Sequence, residues 1–255
     1  MRRKAISIVS LALAVGIGLT GLALAEHVQV GKLVVDFDGG FRPTTLPKKQ
    51  YAPIDLWGRA DISTVDGSLP PAPRHVVIDW DRNGLLTTKG LPRCRPSRLE
   101  NTTTPAAMKA CRPALVGTGF ASGQVAFPDQ APFPASSKIL IFNGTPIHGH
   151  PVALIHAYAY VPAPTTFVVP VIITKVHHGR YKYETTLDAP VIAGGYGVVT
   201  HFDFSVKRLW NFHGRRLSYI SARCADGRLQ ATGSATFADG SSLSASAFRR
   251  CKSKG

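Results

Sequence analysis

Asp79, Asp81 and Asn83 put side-chain oxygens at alternate positions ahead of Gly84, which is the first half of a calcium loop. Calcium is therefore the one cofactor the sequence brings forward. The twelfth position of such a loop, where a bidentate Glu completes the shell, is Gly90, and Lys89 beside it adds charge of the wrong sign. The same letters also read as a strand ending in an Arg82-Asn83-Gly84 hairpin turn. His148 and His150, with His156 further on, share the parity that lines one face of a strand and could offer imidazoles to a transition metal. Against this, Gly149 and Pro151 favour a loop, and no Asp or Glu lies nearby to complete the shell. His177-His178 reads as solvated turn surface.

Hydrolytic chemistry has thinner support. Asp36/Asp38 and Asp79/Asp81 are carboxylate pairs two residues apart, but each stands at a strand end beside glycine, where Asp is ordinary turn chemistry. The glutamates are Glu26, Glu100 and Glu184. No G-x-S-x-G nucleophile elbow and no glycine-rich phosphate loop occurs. A secreted hydrolase or metal-dependent enzyme built on His148, His150 or an Asp cluster is accordingly the alternative function.

Cations interleaved with aromatic rings carry the leading one. Lys48-Lys49, Arg93/Arg95/Arg98, Lys175/Arg180/Lys182 and Arg249-Arg250 lie among Tyr51, Tyr181, Tyr183, Tyr219 and Phe248. Arg208, Trp210, Arg215 and Arg216 straddle one hairpin and form the group chosen as a candidate polyanion site. Charge and ring stacking together can grip an anionic, sugar-containing polymer. The bland alternative packs most of these rings into the core and leaves the charges as a solvated rim.

The chain that must position these groups begins with an export signal. Met1-Arg2-Arg3-Lys4 is basic, Ala5 to Leu22 is apolar, and Ala23-Leu24-Ala25 is an A-x-A cleavage site, so residues 1–25 read as a signal peptide. Losing Arg2, Arg3 and Lys4 lowers the formal charge only from +15 to +12. Such a surface attracts polyanions, and export argues for an anionic cell-envelope polymer over nucleic acid. No later stretch is apolar enough to span a bilayer. The expected location is extracellular, with cell-wall association. Four cysteines in an exported chain read as two disulfides, and the spacing favours Cys94–Cys111 and Cys224–Cys251 among the three connectivities. A zinc site is the competing use, but no C-x-x-C pair is present.

Val152–Val161 and Thr165–Val176 are long β-type runs with apolar residues at both parities, the pattern of central strands covered on both faces. Val28–Phe37 reads as one strand, Ala52–Thr64 as the next, and His75–Trp80 as a third, with X-Gly turns marking further short strands to Phe248. One helix is expected near 104–111, with Thr104 capping and Pro105 in its first position. Residues 26–255 thus read as a single all-β domain, an antiparallel β-sandwich of Greek-key or jelly-roll type carrying one short, disulfide-stapled helix.

The order VGKLVVDFDGGF, LPKKQYAPI, ISTVDGS, VVIDWDRNG, KGLPRC, ALVGTG, FPDQAP, IHAY, PVIAGGYG and FADGSSL resembles an uncharacterised family of secreted β-rich actinobacterial proteins. The resemblance covers nearly all of Val28–Cys251. It implies export and a single module, and it lends no catalytic residues. The leading expectation is a non-catalytic secreted or wall-associated module. A protein–protein interaction module working through a sheet edge is the second alternative.

Overall fold

The computed structural model describes residues 26–254, so the expected signal peptide lies outside the described residues. The chain opens with β1 (Glu26–Val30), β2 (Leu33–Arg42), β3 (Thr45–Pro47), β4 (Ala52–Pro53), β5 (Asp55–Thr64), β6 (Pro73–Asp81) and β7 (Gly84–Leu86). Helix α1 (Thr104–Cys111) follows. Next come β8 (Leu115–Val125), β9 (Phe133–Asn143), β10 (Val152–Ala159), β11 (Thr165–Lys175), β12 (Tyr181–Asp188) and β13 (Gly197–Val206). The last are β14 (Leu209–Phe212), β15 (Arg215–Ser218), β16 (Ile220–Ala222), β17 (Arg228–Phe237), β18 (Ser242–Arg250) and β19 (Lys252–Lys254).

Twelve of these strands form one antiparallel sheet in the order β1-β2-β5-β13-β8-β9-β10-β11-β12-β6-β17-β18. The sandwich expected from the sequence is this single sheet folded over on itself, because edge strands β1 and β18 come to lie side by side. Across that seam Leu33, Val35 and Ile62 pack with Ala235, Phe237 and Leu243, and Arg249 on β18 donates to Asp38 on β2.

Strands β10 and β11 occupy the middle, as their composition requires. Leu154 faces Phe142 and His156 faces Leu140 in the β9–β10 register, and this outward side is sealed by α1 and the segment around Cys94 and Leu99. Ile155 and Ala157 alternate to the inward side. The disulfides are Cys94–Cys111 and Cys224–Cys251, which excludes zinc on these thiols.

Four local expectations need correction. Ala52–Thr64 is not one strand, since β4 joins the small sheet with β16 and β5 joins the large one, and Asp36 and Asp38 lie inside β2 and not at its end. Val28–Phe37 is not one strand: Gly31, at φ +59°, turns the chain with Lys32 and makes a β1–β2 hairpin. Thr103, not Thr104, caps α1, its hydroxyl accepting from the Ala106 N–H; Thr104 is already helical and Pro105 follows it.

Antiparallel order gives the fold two unlike ends. The upper end carries the turns after β1, β5, β8, β10, β12 and β17. At the lower end the small sheet β4-β16-β7, the hairpin β14–β15 and the Cys224–Cys251 disulfide fold inward. There Leu46, Ile54 and Ala222 meet Phe41, Leu56 and Leu229, while Leu91 and Tyr219 meet Val206, Ile141 and Ala153.

Candidate functional site

The proposed calcium half-loop is already occupied by protein. Asp81 is buried and its carboxylate accepts from Arg180 Nε at 2.6 Å, from the Asn83 N–H at 2.8 Å and from the Gln230 N–H at 3.0 Å. Asn83 is also buried and accepts from Arg223 Nε at 3.1 Å. A guanidinium stands where the cation would, so Asp79, Asp81 and Asn83 do not form a calcium shell. The chain does turn at Arg82-Asn83, but the expected hairpin does not form: β6 pairs with β12 and β17, while β7 leaves that sheet to pair with β16.

The three histidines do not meet either. His148 and His150 are exposed in a tight turn, whereas His156 is fully buried on β10. His156 Nε2 donates to the Thr102 carbonyl at 3.0 Å, and burial pushes its pKa below the ordinary value. It is a neutral core histidine tying the helix-bearing excursion to the sheet.

Sequence reasoning missed a different cluster. Asp79 on β6 faces Glu184 on β12 directly, and His178 Nε2 lies 3.4 Å from Asp79 Oδ1. The three side chains bring ligand atoms within 4.8 Å of one another, and Asp79 Oδ1 is buried without a hydrogen-bond partner. Their positions in sequence carry no spacing signal, because the pairing of β6 with β12 spans the intervening excursion.

The chosen cationic hairpin divides in two. Trp210 Nε1 donates to the Lys89 carbonyl at 3.0 Å, and Arg208 donates to the Pro113 carbonyl at 3.3 Å, so both anchor the hairpin to the lower end. Arg215 and Arg216 are exposed, but their adjacency in β15 turns them to opposite faces. The four do not form one surface.

Cations and rings do converge elsewhere, in a groove of about 520 Å³ on the outward side of β2, β5, β13, β8 and β9. Register explains it. Asp38, Arg59, Asp203, Phe120 and Lys138 stand opposite one another across successive strands, and Gly40, Trp57, Ser205 and Thr118 form the next row. Arg42 and Asp55 close the lower edge as a third. The Trp57 indole lies across Gly40, where an added Cβ would come within 3.1 Å of the ring. Glycine is thus what lets the indole lie against the sheet. Arg42, Arg59 and Lys138 are exposed, and Phe120 is 42% exposed. Asp55 accepts from Ser205 Oγ at 2.7 Å and Arg59 lies 3.5 Å from Asp38, which leaves Arg42 and Lys138 as the groove cations without a carboxylate partner among the described residues.

Above the groove runs a row of His27, Asp36, Asp61 and His201 on β1, β2, β5 and β13. His27 Nδ1 lies 2.7 Å from Asp36, His201 Nδ1 lies 2.6 Å from Asp61, and His201 Nε2 lies 3.3 Å from Asp203. The Asp61 hydrogen bond, aided by Asp203, raises the His201 pKa above its ordinary value. The Phe120 ring sits 6.4 Å from that imidazole, joining the row to the groove.

No family model, curated protein or solved structure matches this chain.

Proposed function

We propose that this chain is a non-catalytic, exported binding module whose outward groove holds an anionic, sugar-bearing polymer of the cell envelope. One observation carries the reading: Trp57 and Phe120 stand beside Arg42, Arg59 and Lys138 in a single groove. Flat rings suit the apolar faces of sugars, and guanidinium groups suit carboxylate or phosphate substituents. The two disulfides fit an oxidising compartment, and no helix among the described residues is long and apolar enough to cross a membrane. The opposing edge-mediated protein-binding reading draws less support, because edge strands β1 and β18 lie against each other.

The test is co-sedimentation of oxidised protein with purified cell walls over a salt series. Binding is expected to weaken steeply with salt, to fall in Arg42→Ala/Lys138→Ala, and to fall in Trp57→Ala even at low salt. Arg215→Ala/Arg216→Ala is expected to bind like the parent. No sedimentation at low salt, or loss only in the Arg215/Arg216 variant, refutes the groove.

A metal-dependent activity is the second reading, favoured by the Asp79, His178 and Glu184 cluster with its unpartnered Asp79 oxygen. Stoichiometric metal in purified protein, lost in His178→Ala, would promote it.

A further inference from the structure

We infer that the folded-over sheet encloses an apolar lumen that takes a single unbranched acyl chain through the upper end. Three independent observations lead there.

The first is the width of the closure. Eight strands already leave an interior that side chains only just fill, and the interior widens with strand number. This ring has twelve. Its inward residues should therefore be large if the interior is to be filled, and on β8, β9, β10, β17 and β18 several are small. Register places Ala121 on β8, Ala135 on β9 and Ala157 on β10 on the inward side. Ala231, Ala235 and Ala245 on β17 and β18 also face inward, half the ring away. None of the six is fully buried, although all lie within strands whose outward side is a different surface. Inward residues near the plug and the seam, such as Ile139, Ile141, Val206 and Val35, are buried, as are Leu140, Phe142 and Leu154 on the outward side under α1.

The second is Gly233. It sits mid-strand on β17, paired with Ile78 and Ala245, and a Cβ built there meets no atom within 4 Å. An inward position in a packed sandwich would meet the facing layer. Here there is open space.

The third is the character of the lining and its mouth. Val35, Ile62, Phe167, Val76 and Ile78 share the inward side with the alanines, and Glu26, opposite Phe37 at mid-height, is a charge that register sets beside them. Polar tips of the lining are engaged: Trp80 Nε1 donates to Thr185 Oγ1 at 3.0 Å, and Ser137 Oγ donates to the Tyr158 carbonyl at 3.0 Å. A lining this largely apolar suits hydrocarbon. The charges Arg59, Asp61 and Asp79 face outward, the reverse of a membrane barrel. The lower end is plugged by the segments around Leu46, Leu91 and Tyr219. The upper end is rimmed by exposed Val30, Val65, Tyr160, Val161, Val191 and Tyr196. Lys32, the one basic residue in the upper turns, is paired with Asp66. An apolar rim around an apolar, one-ended lumen is an entry for a lipid tail.

The experiment is titration of the oxidised full chain with a fluorescent polyene fatty acid, read as saturable fluorescence gain at one probe per chain. Gly233→Phe fills the space and is expected to weaken the probe about tenfold or more. Ala245→Leu, on the adjacent strand, makes the same test if the first variant does not fold. Ser234→Phe, which alternates to the outward side, is expected to bind like the parent. Displacement by palmitate alone marks a free acid as the occupant, and displacement by lysophosphatidylcholine as well marks a lipid tail. Absence of saturable uptake overturns the inference. So does uptake that both Gly233→Phe and Ala245→Leu leave unchanged, since that is adsorption to the rim.

Discussion

Arg180 is the perturbation with the largest calculable consequence. Its Nε donates to Asp81 at 2.6 Å, its two terminal nitrogens hold Asp226 at 2.7 and 2.8 Å, and one of them also reaches the Arg228 carbonyl at 2.9 Å. This joins the β11–β12 turn, the end of β6 and the start of β17. The Asp81 side chain is 3% exposed and that of Arg180 is 16% exposed. Arg180→Met leaves a buried carboxylate with only the Asn83 and Gln230 amides. Breaking a buried pair from one side costs roughly 3–5 kcal/mol. At a chain of this size that is a fall in Tm of roughly 6–20 °C. Urea unfolding of the oxidised protein should show a lower midpoint with unchanged m, since no new surface is exposed. Arg180→Met/Asp81→Asn should recover part of the loss by removing the orphaned charge. Arg180 also holds the Asp226 carboxyl below its ordinary range. That part of the stability is present above the usual carboxylate pKa and is lost as pH falls through the lower folded value. A cost under about 1 kcal/mol for Arg180→Met would show that water, not Arg180, satisfies Asp81, and would refute the reasoning.

His201 has a raised pKa, so its pairing with Asp61 contributes fully below the ordinary histidine value and fades as pH rises through the higher folded value. An NMR titration should find that raised midpoint in the parent and a lower one in Asp61→Asn. Removing the Cys224–Cys251 disulfide, which spans 27 residues, should cost about 3.5 kcal/mol, against about 3 kcal/mol for the 17-residue Cys94–Cys111 link. Denaturation of paired Cys→Ala variants checks both values. Gly90→Ala should undock the β14–β15 hairpin, because φ is +71° and the new Cβ would lie 2.0 Å from Phe212. We expect a loss of about 1–3 kcal/mol and a shift in Trp210 fluorescence.

How much of this was legible follows from what period and composition encode. The central pair β10–β11 was readable because apolar residues at both parities demand cover on both faces, and α1 and the inward side supply it. The disulfides were readable because each closes a local excursion. The Gly31-Lys32 turn was not, since the flanking valines continue the strand pattern straight through it. Asp81 was misread because D-x-D-x-N looks the same with a cation or a guanidinium, and Arg180 lies 99 residues away. Trp210 and Arg208 read as surface because nothing local reveals that the carbonyls of Lys89 and Pro113 await them. The groove was invisible for a plainer reason. Its longest row takes one residue from each of five strands, so it exists only in the register.

The same register makes the two proposed sites separable. Side chains alternate along a strand, so each long strand contributes to two surfaces of opposite chemistry. On β5, Trp57 and Arg59 point into the outward groove, while Gly58 and Ala60 face inward, with Phe204 against Gly58. On β8, Phe120 is outward and Ala121 inward. A substitution at 57, 59 or 120 therefore alters the polar face without entering the lumen. One at 60 or 121 does the reverse. If wall binding and acyl-chain uptake respond to opposite parities of the same strands, the sheet is carrying two binding surfaces back to back. If both respond to one parity, a single surface accounts for both and the alternation argument fails.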